Sequence, residues 1–434
     1  MTDRVYVHVG APKSGTTYLQ GVLETNRALL GAAGIRVVGE RHLDLVHAGM
    51  VIREDPRLER LPATARSAWD RLVAEVRAWE GPVAIISYEL LAGASAEQVE
   101  RALADLTGHE VHVVITARDL AGAVPSAWQE RLKFGLTTPL EDWSPRPESA
   151  GPRAEWGWRT LDPAGVAARW GATLPPERVH IVTAPRSSGD PTELWRRFAE
   201  AVAIDVPGLD LRPERRNESL GVVQTELLRR VNAHTGEHFA TSREQALWLR
   251  DTLAHAVLAP QDGERIGLTP AQLEAATERS TAAIAQLREA GYAVHGDLDD
   301  IRATARPGRT PGEVADGELL SSAIAAIGDL LLLLRDRTRE RNRLRAGGDQ
   351  GAEPGLLGRA KRVIRGTTAV ALRRETDELR RTVERLETQL QEHRALQLRV
   401  AELTDLVAEL MLPTDLHDDE AVQAALQRYR EESL

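Results

Sequence analysis

Arg4-Val5-Tyr6-Val7-His8-Val9-Gly10-Ala11-Pro12-Lys13-Ser14-Gly15-Thr16-Thr17-Tyr18-Leu19-Gln20 is the stretch that decides the fold. Residues 5–9 form a short apolar run rich in valine, 10–17 are mostly small, and 18–30 carry a helical pattern. A strand, a small-residue loop and a helix N-terminus in that order leave backbone N–H groups and the positive end of a helix dipole free to hold an anion. In a Walker A loop the lysine follows the second glycine, yet here Thr16 follows Gly15 and Lys13 stands two residues before it. An ATP-hydrolysing site thereby loses its main cation.

Outward from this stretch, short β-branched runs alternate with longer helical patterns as far as about residue 301, which predicts an α/β domain: a parallel sheet with flanking helices. The strand candidates are 5–9, 35–38, 83–87, 111–116 and 179–183, near-continuous apolar runs suited to strands covered on both faces. Helices are predicted over 18–30, 63–79, 96–106, 124–134 and 163–170, and between 220 and 290 the pattern is all-helical. The predicted domain therefore runs from 1 to 301, and a segment rich in Pro, Gly, Arg and Thr, 302–317, reads as a linker.

The remainder is read as helical. A basic region, 318–374, holds between 335 and 374 eleven Arg and Lys361 against Asp336, Glu340, Asp349 and Glu353. Leu379, Val383, Leu386 and Leu390 step by 4, 3 and 4, the phase slips near His393, and Leu396, Val400, Leu403, Val407 and Leu410 resume it. That spacing predicts a coiled coil over 375–412, followed by a tail, 413–434, and with it a homo-oligomer. The helix 356–371 sets apolar residues on one face and Arg359, Lys361, Arg362 and Arg365 on the rest, a pattern that suits either a solvated linker helix or contact with an anionic membrane surface.

Composition narrows the function. The chain has 434 residues, a net charge of −10 and no cysteine, which excludes a disulfide framework, thiolate zinc sites and a cysteine nucleophile. No basic segment followed by an apolar one opens the chain, and the longest uninterrupted apolar run, 330–334, is far short of the ~20 residues that cross a bilayer, so a cytoplasmic protein that does not span a membrane is expected. Only three of the 55 basic residues are lysines, Lys13, Lys133 and Lys361. A lysine kept in the phosphate loop suits a compact charge that must follow a moving one.

Pro12-Lys13-Ser14-Gly15-Thr16-Thr17 resembles the 5′-phosphosulfate loop of the sulfotransferases that use 3′-phosphoadenosine 5′-phosphosulfate (PAPS). The resemblance implies that Lys13 neutralises the bridging oxygen of the leaving phosphate while Ser14, Gly15, Thr16 and Thr17 bind phosphate oxygens. Arg118, after the strand 111–116, and Ser126, eight residues on, are similar to the pair that holds the nucleotide's 3′-phosphate in that family. Pro125 argues for a kink or a late start in the helix that carries Ser126. Arg216-Asn217-Glu218-Ser219 is similar to a polar loop of related bacterial enzymes and receives no role. The resemblance covers roughly residues 4 to 300 and implies PAPS as sulfuryl donor, no metal, no nucleic-acid partner, and a carbohydrate, lipid or small-molecule acceptor.

Such a transfer needs a base near the loop. Glu89, just past the strand 83–87, His47, and Glu40, both after the second strand, are the candidates, whereas His8 reads as a core histidine. Two other functions remain open at this stage: a nucleotide or small-metabolite kinase, which shares the loop and sheet but needs ATP and Mg²⁺, and a non-catalytic scaffold whose nucleotide-binding core serves the coiled coil.

Overall fold

The computed structural model describes residues 2–147, 157–186, 190–212, 219–239 and 241–348. The coiled coil read over 375–412, the tail 413–434 and the basic region from 349 onward lie outside the described residues.

Six strands, β1 Arg4–His8, β2 Ile35–Val37, β3 Val83–Ser87, β4 Glu110–Ala117, β5 Val179–Thr183 and β6 Ala293–His295, pair in the order β2-β3-β1-β4-β5-β6. Every pairing is parallel, with Val7 beside Ile86 of β3 on one side and Val113 of β4 on the other. Alternation along β1 divides the core. Val5, Val7 and Val9 join Ala84, Ile86, Val113, Ile115 and Ile181 beneath Trp69, Leu72 and Trp170, while Tyr6 joins Ile85, Val114 and Val182 beneath Leu19, Val22, Leu23 and Phe198. A strand's period of two thus feeds two helical layers, and both faces of the sheet are covered.

The chain leaves β1 toward β2 and β3 on one side, then crosses to β4 on the other, so the direction of winding reverses between β1 and β4. Ligands of open α/β sheets bind at such a switch point, outside the carboxyl ends of the strands. Lys13 follows β1 and Arg118 follows β4.

Several elements differ from the sequence-based expectation. Strand β6 was not anticipated, because three residues with Val294 exposed give no apolar run. The helix Leu120–Leu132 carries Pro125 in its interior and does not start late. Asp119 caps it, its side chain accepting from Gly122 N at 2.9 Å. The helices Val222–Thr235 and Gln245–Leu258, the latter a π-helix, contribute to a separate core around Trp128, Leu132 and Leu140, whereas Pro270–Glu289 sends Ala283, Ile284 and Leu287 into the sheet's core.

The segment 302–317 packs against the domain: Ala303, Pro311 and Val314 are buried, Ile266 bridges to Arg309, and Arg306 pairs with Asp119 at 2.6 Å. It runs into one long helix, Asp316–Gly348. Within that helix the stretch Asp316–Glu340 is, by length and composition, long and apolar enough to cross a membrane, a test that a helix packed on its own domain also meets. Counting only the uninterrupted run 330–334 missed it, because Ala and Ile spread the apolarity over the earlier turns.

Ile115 is fully buried at the centre of β4. Ile115→Ala should cost about 2–5 kcal/mol of stability by denaturant unfolding; a loss below about 1 kcal/mol would contradict this description of the core.

Candidate functional site

The loop after β1 is fixed from beneath. Ala11 N donates to the Thr116 carbonyl at 2.8 Å, and Ser14 Oγ bonds the Ala11 carbonyl at 2.5 Å and Thr116 Oγ1 at 2.6 Å. Lys13 adopts φ 68° and Gly15 φ 94°, a left-handed pair that turns the chain sharply into the helix Thr16–Thr25. The positive φ favours glycine at 15, and a Cβ there would also lie 2.3 Å from Leu194 Cδ2, so that side chain would have to turn away.

The loop opens on a cavity of about 930 Å³, lined by Lys13, Gly15 and Thr17 and by Arg118 and Ser126 from the far side of the switch point. Five of the seven residues assigned to the nucleotide therefore share one crevice. Ser14 and Thr16 do not line it. Both are buried, and the Ser14 hydroxyl serves the loop's own hydrogen bonds.

The crevice also gathers residues that sequence reasoning did not single out. Arg265, Arg306, Arg186 and Arg250 line it, as do Lys133, Glu130 and His255. Lys13 Nζ donates to Glu130 Oε2 at 2.6 Å and Lys133 Nζ to the same oxygen at 3.3 Å, so two of the chain's three lysines converge on one carboxylate. Burial alone would raise the Glu130 carboxyl, but the two ammonium groups outweigh it and bring it down to about 2. Lys133 is lowered by burial, against the pull of Glu130.

Arg118 Nη1 donates to the Lys13 carbonyl at 2.8 Å, which ties the loops after β1 and β4 together. Burial pulls Arg118 below the usual guanidinium range; Asp119 opposes this, and Arg306 and Arg265 add to it. Gly122 lets the guanidinium groups lie against the helix, since a Cβ there would stand 2.6 Å from Arg118 Nη2 and 3.1 Å from Arg306 Nη1. Arg250 and His255 come from the π-helix, where residues five apart stack along the axis. Burial, then the nearby Lys133, lowers His255. Such a concentration of like charge around a partly enclosed volume suits a polyanionic ligand.

The base candidates lie elsewhere. Glu89 opens the 3₁₀ turn Glu89–Gly93 after β3 and accepts from Gln20 Nε2 at 2.8 Å, Gln20 belonging to the helix that follows the phosphate loop. His47 is half-buried on the helix His42–Ile52, and Glu40 is exposed, 4.0 Å from Arg36. None of the three lines the cavity. His8 is buried between Ser87 and Thr116, at 2.8 and 3.3 Å, and burial lowers it to about 3, in keeping with a core histidine. Ser219 reaches the cavity wall, while Arg216, Asn217 and Glu218 lie outside the described residues. Among the described residues no group of three or more His, Cys, Asp and Glu converges as metal ligands would.

Fold and crevice together are those of an open, doubly wound α/β domain with a cation-lined pocket at its switch point. Compared with known proteins, residues 379–433 match a domain of unknown function, DUF6752. No curated protein matches the chain. Among solved structures it is similar to a sulfotransferase from Alicyclobacillus acidocaldarius, at 16% identity and a TM-score of 0.35 over 58% of this chain and 99% of that one. It is also similar to a sulfotransferase domain from the curacin biosynthetic pathway, at 14% identity and a TM-score of 0.29 over 50% of this chain and 79% of that one.

The charge on Glu130 sets a pH dependence. Held at about 2 against 4.5 for an unperturbed glutamate, it contributes stability that is complete above the unfolded value and lost as pH falls toward the folded one. Between about pH 5 and pH 2 the stability of the wild type should therefore fall more steeply than that of Glu130→Gln. Equal slopes in acid unfolding would contradict the pairing.

Proposed function

We propose that this chain is a PAPS-dependent sulfotransferase that moves a sulfuryl group to a hydroxyl or amine of a carbohydrate, lipid or small-molecule acceptor. The observation that carries it is the meeting of Lys13, Gly15 and Thr17 with Arg118 and Ser126 in one cavity, since these come from the two separate motifs that resemble that family's donor site. The fit extends beyond the motifs: Arg265 and Arg306 stand beside Arg118, where a second phosphate needs cations, and Gly122 leaves room for them.

The donor supplies an activated sulfuryl group; the protein's part is to hold it and to manage charge and proton. Thr17 and the backbone at the start of the helix Thr16–Thr25 would hold the 5′-phosphosulfate oxygens, and Arg118, Ser126, Arg306 and Arg265 the 3′-phosphate. As the acceptor oxygen or nitrogen bonds to sulfur, the bond from sulfur to the bridging oxygen breaks and negative charge collects on the departing phosphate. Lys13 is the cation placed to meet it. Because Lys133 shares Glu130, that carboxylate keeps a partner when Lys13 swings into the crevice. The acceptor's proton passes to a base, for which Glu89 is the first choice: it stands at the carboxyl end of β3, beside β1, and Gln20 fixes its carboxylate. His47 and Glu40 are its competitors. A kinase activity is disfavoured because no lysine follows Gly15. Association through the leucine stripe 379–410 belongs to the same proposal.

Four substitutions test this. Lys13→Ala should abolish transfer from PAPS. Arg118→Ala should weaken binding of adenosine 3′,5′-bisphosphate by the equivalent of about 1.5–3 kcal/mol, the worth of a charge-assisted hydrogen bond, and unchanged affinity in calorimetry would sink the 3′-phosphate assignment. Glu89→Gln should lower turnover at least ~100-fold with nucleotide affinity intact; near-normal turnover there, with collapse in His47→Ala, would move the role to His47.

A further inference from the structure

The helix Asp316–Gly348 buries one side and leaves another bare. Leu319, Ser322 and Ala326 are buried, Leu333 packs against the core around Trp128, and Ser322 Oγ donates to Gln261 Oε1 at 2.6 Å. Leu320, Ile324, Ile327, Leu331 and Leu334 are 58% to 64% exposed. These five step by 4, 3, 4 and 3, the a and d spacing of a coiled coil. At 3.6 residues per turn they occupy an arc of about 80°, centred about 120° from the buried side, so packing on the domain leaves the stripe free.

We infer that this stripe is a helix-pairing seam and that its occupant is the same helix of a second copy of the chain, lying antiparallel. Three observations select that occupant. The arc has the width of a two-helix seam; outside it Leu330 and Leu332 are also exposed, at 37% and 48%, but Ser321, Gly328, Asp329 and Arg335 interrupt that surface, whereas a lipid-embedded helix is apolar around its whole free surface. Gly317 and Gly328 have open space where a Cβ would stand, which lets a second helix approach closely. The helix is also charge-polarised: its first turn carries Asp316 and Glu318, paired with Arg230 and Arg309 of the same chain, while 335–345 holds six Arg against Asp336, which pairs with Arg335, and Glu340. A parallel partner would set like charges side by side, while an antiparallel one sets acidic against basic at both ends.

In the antiparallel register Leu320 meets Leu331 and Ile324 meets Ile327, each layer occurring twice about a two-fold axis, with Asp316 opposite Arg335. The interface is isologous and closes as a dimer. It is formed by the domain-proximal helix and is separate from the stripe at 379–410.

The chain contains no cysteine, so an introduced thiol reports alone. Full-length Ile324→Cys mixed with full-length Ile327→Cys under mild oxidation should give a disulfide-linked dimer in several-fold higher yield than either variant by itself, because only the mixture places two thiols in one layer. Leu331→Asn, added to both, should remove the cross-link while leaving the far-ultraviolet circular dichroism of the folded chain unchanged, since Leu331 is exposed in the single chain. Self-linking of each variant with no gain on mixing would overturn the antiparallel arrangement. Absence of cross-links in every combination would overturn the seam. Flotation of the wild-type chain with phosphatidylcholine vesicles, lost in Ile324→Asn, would overturn the second copy as occupant and assign the stripe to a bilayer.

Discussion

The hydrogen bonds of Thr116 to the loop after β1 are the constraint on which the crevice depends. Thr116 stands near the end of β4, and its carbonyl and hydroxyl receive Ala11 N and meet Ser14 Oγ. Through them the neighbouring strand sets the path of the loop, Lys13 and Gly15 take left-handed conformations, and the first turn of the helix faces the switch point. A buried hydroxyl of this kind contributes only about 1 kcal/mol net when paired but costs more when its partner is lost. Ser14 is therefore more important to the shape of the loop than its position in a phosphate-binding motif suggests.

A second constraint is electrostatic. Lys13, Lys133, Arg118, Arg265 and Arg306 crowd one crevice of an acidic protein, and like charges at that spacing repel. Two carboxylates hold the cluster together, Glu130 between the lysines and Asp119 beside the arginines. Both lie at the helix Leu120–Leu132, Asp119 as its cap and Glu130 within it. That one helix thereby places Ser126 in the cavity, fixes Lys13 and anchors Arg306. A polyanion entering the crevice would relieve the repulsion, so the site is arranged to gain from binding before any contact specific to a nucleotide is made.

Much of this was legible in the sequence where the signal is local. Five strands are apolar runs, and a strand, a small-residue loop and a helix in succession mark a candidate anion site whatever lies elsewhere. Arg118 was legible through the resemblance of the Arg118 and Ser126 pair to the sulfotransferases, which its place after a strand supported. Arg265 and Arg306 were not: each stands in an irregular segment more than a hundred residues from Arg118 in the chain, and only the packing of 302–317 and of the helices after Leu220 brings them in. Glu130 was hidden for another reason. It lies one helical turn from Ser126, yet nothing local says that its partner is Lys13, 117 residues away. Arg250 and His255 share the cavity through a five-residue spacing that a search for 3.6-residue periodicity passes over. The bare stripe 320–334 was partly legible: the helix reads as amphipathic, but which of its two apolar faces is covered depends on Gln261 and the core around Trp128.

The account's central claim is that the crevice binds a 3′,5′-bisphosphorylated adenosine, and thermal unfolding of the full chain with each candidate nucleotide tests it most directly. At about 100 times the dissociation constant a ligand that binds only the folded state adds about 2.7 kcal/mol. Adenosine 3′,5′-bisphosphate should raise the melting temperature with no metal added, and ATP with Mg²⁺ should leave it unchanged. A rise with ATP and Mg²⁺ alone would make the site a kinase's, and no rise with either would contradict a nucleotide site in this crevice altogether.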